Sequence, residues 1–362
     1  MKVLAVSPLA SVAGGEVMLL RLVPELRSRH WDVKATVPGK GELEDLLRKD
    51  GVPVMRLPLG PPTGRKPVAA VAGLTRAGRV VADADVVLLN GLSTQRVLRA
   101  VRLRRRPAVL HVTNPIVGGV AAWSRPWTWS VVRAVITDSE VSAQECVAAG
   151  APADRLHPLH PPAWAGVMEP RPAPVDGPGR VGFVGRLEPR KGIEDLIVSA
   201  RRFLRGRTRA SVTIVGAPSE AAPPGYVASL RAAARASGVM DRIAFTGWRP
   251  DSGDALAEFD VVCMPSHAEP YGTVAAEAAA RGVPVVATTV GGLREVVVDG
   301  ATGTLVPPGN PAALAAAIAP YLDDPALRAR VGAAAHARAL RCFAPGPYAD
   351  RVDAVLREAV GS

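Results

Sequence analysis

Residues 180–215 read RVGFVGRLEPRKGIEDLIVSARRFLRGRTRASVTIV. Apolar residues crowd Arg180–Val184, a run as short and β-rich as a buried strand requires. Gly185 to Gly192 breaks it with glycine, proline and charge. A helical repeat follows over Glu194–Arg205, then a second apolar strand over Ala210–Val215. Strand, helix, strand in that order calls for a crossover, so the two strands are expected to be parallel and covered by helices.

The alternation extends both ways. Upstream, Lys2–Ser7, Val33–Val37, Val54–Leu57, Val86–Leu89, Ala108–His111 and Ala134–Thr137 read as strands, with helices such as Glu16–Arg29, Gly41–Lys49 and Val68–Ala82 between them. Downstream come helix Tyr226–Ser237, strands Ile243–Thr246 and Val261–Met264, helix Val274–Arg281 and strand Val285–Ala287. Pro158, Pro161, Pro162, Pro170, Pro172, Pro174 and Pro178 crowd one segment and mark a linker. The chain has 362 residues, enough for two α/β domains. The expected division is 1–165 and 166–345, with a helix over 346–362 packing back on the first domain. The tail from Pro311 reads as three helices divided by Pro325 and Pro345-Gly346-Pro347.

Composition narrows the class. Apolar residues make up 48% and charged residues 21%, and mean hydropathy is +0.16, all ordinary for a folded globular chain. The three cysteines are far apart and lack a CxxC spacing, which argues against a disulfide framework or zinc site and for a reducing cytosol. Val3 to Ala13 loosely mimics a signal peptide, but Ser7-Pro8 breaks it, and a first buried strand is the preferred reading. The formal charge is +11 and uneven: residues 1–160 hold 22 Lys and Arg against 13 Asp and Glu, and the remainder holds 22 against 20. An anionic partner is therefore sought on the first half.

In open parallel sheets, ligands sit where strand ends meet helix starts. Three loops there hold distinctive residues. The first runs from Ser7-Pro8 to Gly14-Gly15-Glu16, where glycines permit close backbone approach to a phosphate; it is not GxGxxG, so a nicotinamide fingerprint fails. The second carries Gly185, Arg186 and Lys191. A guanidinium and an ammonium spaced across one loop can clamp a diphosphate. The third reads Ser266-His267-Ala268-Glu269-Pro270-Tyr271-Gly272-Thr273-Val274-Ala275-Ala276-Glu277. Helix-start N–H groups around Gly272 to Val274 can meet a phosphate, and Glu269 and Glu277 can accept from sugar hydroxyls. A glycosidase pair is disfavoured, because Glu277 is recessed along the helix.

Gly185-Arg186-Leu187, Lys191-Gly192, Glu269 and Glu277 with seven residues between them, Gly291-Gly292-Leu293-Arg294-Glu295 and Asp299-Gly300-Ala301-Thr302-Gly303 occur in family-like order. Together they resemble glycosyltransferase family 4, closely over the second domain and more loosely over the first. The resemblance implies an α/β GT-B fold, two Rossmann-like domains whose parallel sheets face a central cleft, and a retaining transfer without bound metal or other cofactor. It implies that Arg186 and Lys191 hold the diphosphate of a UDP- or GDP-sugar and stabilise it on departure. Glu269 would bind the sugar's hydroxyls and Glu277 the ribose. Amides at Tyr271, Gly272 and Thr273 would face sugar and phosphate, Gly15 the distal phosphate, and Gly247-Trp248-Arg249 the base. His111 resembles the histidine near acceptor and anomeric carbon, with Gly14 and Asn90 on the acceptor side; a satisfied histidine at a strand end is the competing reading. Leu88-Leu89-Asn90-Gly91 departs from a frequent histidine-containing pattern, and Arg294 stands where proline is common, which leaves acceptor and donor details open.

Two surface features bear on partners. Arg96, Arg99, Arg102, Arg104, Arg105 and Arg106 form a basic strip, and Trp123, Trp127 and Trp129 lie near Arg125 and Arg133. They suit an anionic bilayer at the inner face of the membrane, or else a solvated helix and core aromatics. Nucleic acid is disfavoured, since no recognition motif appears and aromatic residues are only 4%. The activity expected is a cytoplasmic sugar transfer to an unidentified hydroxyl, lipid-linked, cyclitol or secondary metabolite. A nucleotide-sugar epimerase and a non-catalytic sugar-nucleotide-binding subunit are the alternatives.

Overall fold

The computed structural model describes residues 1–12, 14–58, 67–113, 126–163, 170, 179–219, 222–249 and 252–361. Trp123, Arg125, Pro172, Pro174, Pro178 and the expected boundary at 165–166 lie outside them. The chain divides into two compact units, Met1–His160 with Gly346–Ser362, and Pro161–Pro345.

The first unit is built from strands β1 (Lys2–Val6), β2 (Asp32–Val37), β3 (Val54–Arg56), β4 (Val86–Asn90), β5 (Ala108–Val112), β6 (Val132–Thr137) and β7 (Leu156–Pro158). They form one sheet in the order β3-β2-β1-β4-β5-β6-β7, with every pairing parallel. Its helices are α1 (Gly14–Ser28), α2 (Glu42–Lys49), α3 (Pro67–Ala82), α4 (Leu98–Arg104), α5 (Pro126–Val131) and α6 (Glu140–Ala148). Every residue of β4 and β5 is buried, as a strand covered on both faces must be. Helix α1 survives Pro24 because it buries Met18, Leu19, Leu22, Val23 and Leu26 as one stripe. Helix α6 lacks a strong apolar stripe, and the side chain of Ser139 caps its start by accepting from the Ser142 amide.

The second unit carries β8 (Arg180–Val184), β9 (Ser211–Val215), β10 (Ile243–Gly247), β11 (Val261–Met264), β12 (Val285–Thr288) and β13 (Gly303–Val306). Their order is β10-β9-β8-β11-β12-β13, again parallel throughout. Helices α7 (Ile193–Phe203), α8 (Tyr226–Ala236), α9 (Ser252–Ala257), α10 (Thr273–Ala280), α11 (Leu293–Val296), α12 (Pro311–Asp323) and α13 (Pro325–Cys342) complete it. Helix α7 buries Ile193, Leu196, Ile197, Ala200 and Phe203 at helical spacing and packs on α8 and α12. Glu194 and Asp195 in its first turn and Arg201 and Arg202 in its last complement the helix dipole. A second core gathers Phe259, Tyr271, Ala275, Ala279, Leu293, Ala335 and Phe343 from α10, α11, α13 and their approaches.

The last helix, α14 (Pro345–Gly361), belongs to the first unit from Gly346 onward. It buries Tyr348, Ala349, Val352, Val355, Leu356 and Ala359. Arg29 donates to Asp350 through Nε and Nη2 at 2.9 and 2.7 Å, and Trp31 Nε1 donates to Asp353 at 2.6 Å.

In both sheets the order of strand addition reverses at one place: between β1 and β4 in the first unit, between β8 and β11 in the second. At such a switch point the outgoing loops splay apart and leave a crevice at the strand carboxyl ends.

Candidate active site

In the second unit the loops leaving β8 and β11 are tied together. Glu188 N-caps a tight turn over Pro189–Lys191, and its carbonyl accepts from the Lys191 amide at 2.9 Å. Gly192 follows at φ 64°, and a side chain there would bring a Cβ within 2.0 Å of the Pro265 carbonyl. Glycine is thus demanded twice, by backbone conformation and by the neighbouring loop. The carbonyl of Arg190 accepts from the His267 amide at 2.7 Å, and its guanidinium donates to the Ala268 carbonyl at 3.1 Å.

Across that junction Lys191 Nζ donates to Glu269 Oε2 at 2.5 Å, with side chains 11% and 9% exposed. Ser266 Oγ adds a longer contact at 3.4 Å to the same oxygen. The backbone of Glu269 is fixed from the far side. Its carbonyl accepts from the Gly292 amide at 3.2 Å, and a Cβ at Gly291, where φ is 49°, would stand 1.8 Å from that oxygen. Gly272 is the N-cap of α10 and supplies no side-chain cap, so Thr273 begins the helix with amides uncapped by a side chain. Glu277 is buried within α10, and Tyr271 is buried edge-on to Phe343. Gly185 donates its amide to Val215 and so holds the root of the β8 loop on β9.

Arg186 differs from Lys191. Its guanidinium is 50% exposed and lies 3.6 Å from Glu188 Oε1. Glu188 is buried, takes Arg190 Nη2 at 2.5 Å, and accepts from Ser219 Oγ at 2.8 Å. Burial raises its pKa, but the Ser219 hydroxyl and the charges of Arg186, Arg190 and Lys191 overcome this and hold the carboxyl below its ordinary range. Three cations and two carboxylates thus crowd one junction, with Arg186 the most loosely held. Such a set of cations is chemically suited to an anionic group, with Lys191 and Arg190 already oriented by their carboxylate partners.

Gly247 and Trp248 stand apart from this cluster. Gly247 ends β10, the edge strand two places from β8, and Trp248 follows it and is 68% exposed.

In the first unit, the ends of β1, β4, β5 and β6 gather Gly15, Asn90, His111 and Asp138. Asn90 Nδ2 donates to the Gly15 carbonyl at 3.1 Å, and a Cβ at Gly15 would lie 2.8 Å from Thr113 Oγ1. Gly14 is unobstructed. Asn90 and His111 are register partners across β4 and β5. His111 is 2% exposed, and its Nε2 lies 3.2 Å from Asp138 Oδ1 and 3.4 Å from the Tyr348 hydroxyl.

Sequence reading passed over Glu188, Asp138 and Tyr348. Glu188 lay inside the quoted loop, and its place just before proline marks a helix-turn start. Asp138 sits in Thr137-Asp138-Ser139-Glu140, a strand-to-helix junction with a capping serine. Tyr348 is 237 positions from His111, and nothing local announces the contact.

The arginine strip falls mainly on α4, where Arg99, Arg102, Arg104 and Arg105 are exposed and Arg96 and Arg106 are half-buried. Trp129 belongs to the core and donates Nε1–H to the Ala149 carbonyl at 3.0 Å, and Trp127 is packed against the same core. Trp129 is thus taken up by the core, while Trp127 stays half-buried. Among the described residues no helix is long and apolar enough to cross a membrane, and no three His, Cys, Asp or Glu side chains group as metal ligands.

Comparison with known proteins assigns each half. Residues 169–338 match the model of glycosyl transferases group 1, and residues 13–162 match that of the glycosyl transferase 4-like domain. Among curated relatives, glycogen synthase of Mycobacterium tuberculosis (strain ATCC 25618 / H37Rv) is 39% identical over 168 residues, covering 46% of this chain and 39% of that protein. D-inositol 3-phosphate glycosyltransferase of Kineococcus radiotolerans is 40% identical over 192 residues, covering 49% of this chain and 44% of the other. The chain spans about half the length, or less, of the curated relatives it matches. Of solved structures, Anabaena Alr3699/HepE in complex with UDP and glucose superposes with a TM-score of 0.85 at 23% identity, covering 99% of both chains. Sucrose-phosphate synthase from Thermosynechococcus elongatus gives 0.78 at 21% identity, covering 99% of this chain and 98% of that one. These likenesses carry the fold, which is the two-sheet GT-B architecture expected from the sequence.

Proposed function

We propose that this chain, which belongs to the glycosyl transferases group 1 family, is a retaining glycosyltransferase that moves a hexosyl-type sugar from a nucleotide diphosphate donor to a hydroxyl group. The observation that carries the reading is the meeting of Lys191 and Glu269 at the ends of β8 and β11, beside the start of α10. One group suits a phosphate and the other a sugar hydroxyl, and the bond to be broken lies between those two parts of the donor.

In this reading the bond from anomeric carbon to phosphate oxygen breaks with its electron pair on the phosphate. The acceptor oxygen bonds to the same face of the sugar and releases its proton to a departing phosphate oxygen. Positive charge builds on the sugar and negative charge on the diphosphate. Arg186, Lys191 and the α10 amides meet the negative charge, in the place a divalent metal takes in other enzymes. Glu269 holds hydroxyls of the sugar, and Glu277 those of the ribose. Gly247 and Trp248 offer an exposed aromatic face to the base, and Gly15 its amide to the distal phosphate. UDP and UDP-glucose occupy a neighbour of the same fold, which favours a uridine donor over a guanosine one. His111, Asn90 and Gly14 serve the acceptor, and the presence of D-inositol 3-phosphate glycosyltransferases beside glycogen synthase among the curated relatives supports a cyclitol phosphate as one candidate and a glucan as another.

The test is nucleotide release from UDP- and GDP-sugars, with and without a panel of cyclitol, lipid-linked and glucan acceptors. Acceptor-dependent UDP release with the anomeric configuration kept is expected. An epimerised donor sugar, or binding without turnover across the panel, overturns the reading.

A further inference from the structure

We propose that Tyr348 and Asp138 are positioning residues for His111, Asp138 fixing the proton of its imidazole on Nε2 and Tyr348 holding the ring in place. Both approach the same nitrogen, at 3.4 Å and 3.2 Å, from opposite ends of the sequence. Asp138 follows β6 directly, and Tyr348 comes from the first turn of α14. All three side chains are buried, so water does not compete for these contacts.

The chemistry sets the tautomer. An ionised carboxylate only accepts, so the nitrogen facing Asp138 carries hydrogen in the neutral ring, and Nδ1 keeps its lone pair. Tyr348 stays a neutral phenol, because burial and the nearby Asp138 carboxylate both push its pKa well above the ordinary value. Its oxygen can share the Nε2 hydrogen as a second acceptor. His111 then offers a hydrogen-bond acceptor at Nδ1 rather than a donor.

The arrangement holds because α14 is anchored along its length. Arg29 reaches the Gly346 carbonyl and Asp350, Trp31 reaches Asp353, and Arg357 stacks over the Trp31 ring at 5.4 Å while donating to the Arg29 carbonyl at 2.9 Å. A phenol on so fixed a helix cannot drift from the imidazole without dislodging several buried side chains. The proposal deepens the reading that His111 serves the acceptor side, but its main readout needs no turnover.

The experiment is nitrogen NMR of the full chain with labelled histidine, the six imidazoles being told apart with a His111→Asn control. The neutral Nε2–H pattern is expected for His111. In Asp138→Asn an amide that donates can face Nε2, and the proton moves to Nδ1. Tyr348→Phe keeps the tautomer but loosens the ring, and kcat falls about tenfold while the KM for donor holds. A wild-type Nδ1–H pattern, or an unchanged tautomer in a folded Asp138→Asn, overturns the proposal. Full wild-type kcat in Tyr348→Phe removes the tyrosine from it. Should Asp138→Asn not fold, the wild-type spectrum alone decides. Failure of all sugar transfer with an Nε2–H spectrum intact would instead count against the proposed activity.

Discussion

Lys191 and Glu269 are 78 positions apart in the chain and 2.5 Å apart in space. Each is the other's counter-ion, and each is shielded from water. The pair therefore has a structural role as well as its proposed chemical one, and the two can be separated.

Lys191→Met strands a buried carboxylate and is expected to lower stability by about 3 kcal/mol. Adding Glu269→Gln removes the stranded charge and restores most of the loss. Activity stays absent in both variants. Denaturant melts beside nucleotide-release assays check this; a double variant as unstable as the single one would refute the charge argument.

Arg186→Ala has the opposite signature. The side chain is half in water and its nearest carboxylate is 3.6 Å away, so stability should change by under about 0.5 kcal/mol. Turnover should fall on the order of a hundredfold, through loss of one fixed cation at the leaving phosphate. Steady-state kinetics with saturating donor measure it.

Glu188 gives a pH signature. Its carboxyl is held below the ordinary value of 4.5, so unfolding chains take up the proton first as acid is added. The charge contributes its full stability above that value and loses it as pH falls through the depressed one. The stability gap between wild type and Glu188→Gln, followed by urea denaturation from neutral to acid, should be constant above pH 4.5 and close below it. A gap that widened in acid would reverse the assignment.

Gly291→Ala is expected to cost about 3 kcal/mol or more, because strain at positive φ adds to a collision with the Glu269 carbonyl. Gly300→Ala, at φ 71° but in open space, should cost only about 1 kcal/mol. Paired thermal melts compare them, and Gly291→Ala should also lose activity because the Glu269 backbone must move.

The sheets were legible because stretches such as Val86–Leu89 and Val261–Met264 are uninterrupted apolar runs, and period and composition agree there. Helix α4 was read only as a row of arginines, since its buried side is just Leu98, Ala100 and Val101. Strand β13 was read as part of a motif, for Gly303 and Thr304 hide a strand whose burial is only partial. Arg186, Lys191 and Glu269 could be named because strand ends fix where loops begin. Their pairing could not, for which cation meets which carboxylate depends on the approach of two loops from β8 and β11. Tyr348 was beyond reach, since an expected return of the last helix to the first domain does not say which of its side chains meets His111.

That return has a consequence for synthesis. The second unit is one uninterrupted stretch, complete once Pro345 has emerged, whereas the first is interrupted and ends with the chain's last helix. During translation Trp31, Arg29 and His111 must therefore wait, their partners still unmade, while more than half the polypeptide is assembled. The first unit is begun before the second and completed after it, so a nascent chain released between its two segments lacks the helix that closes it.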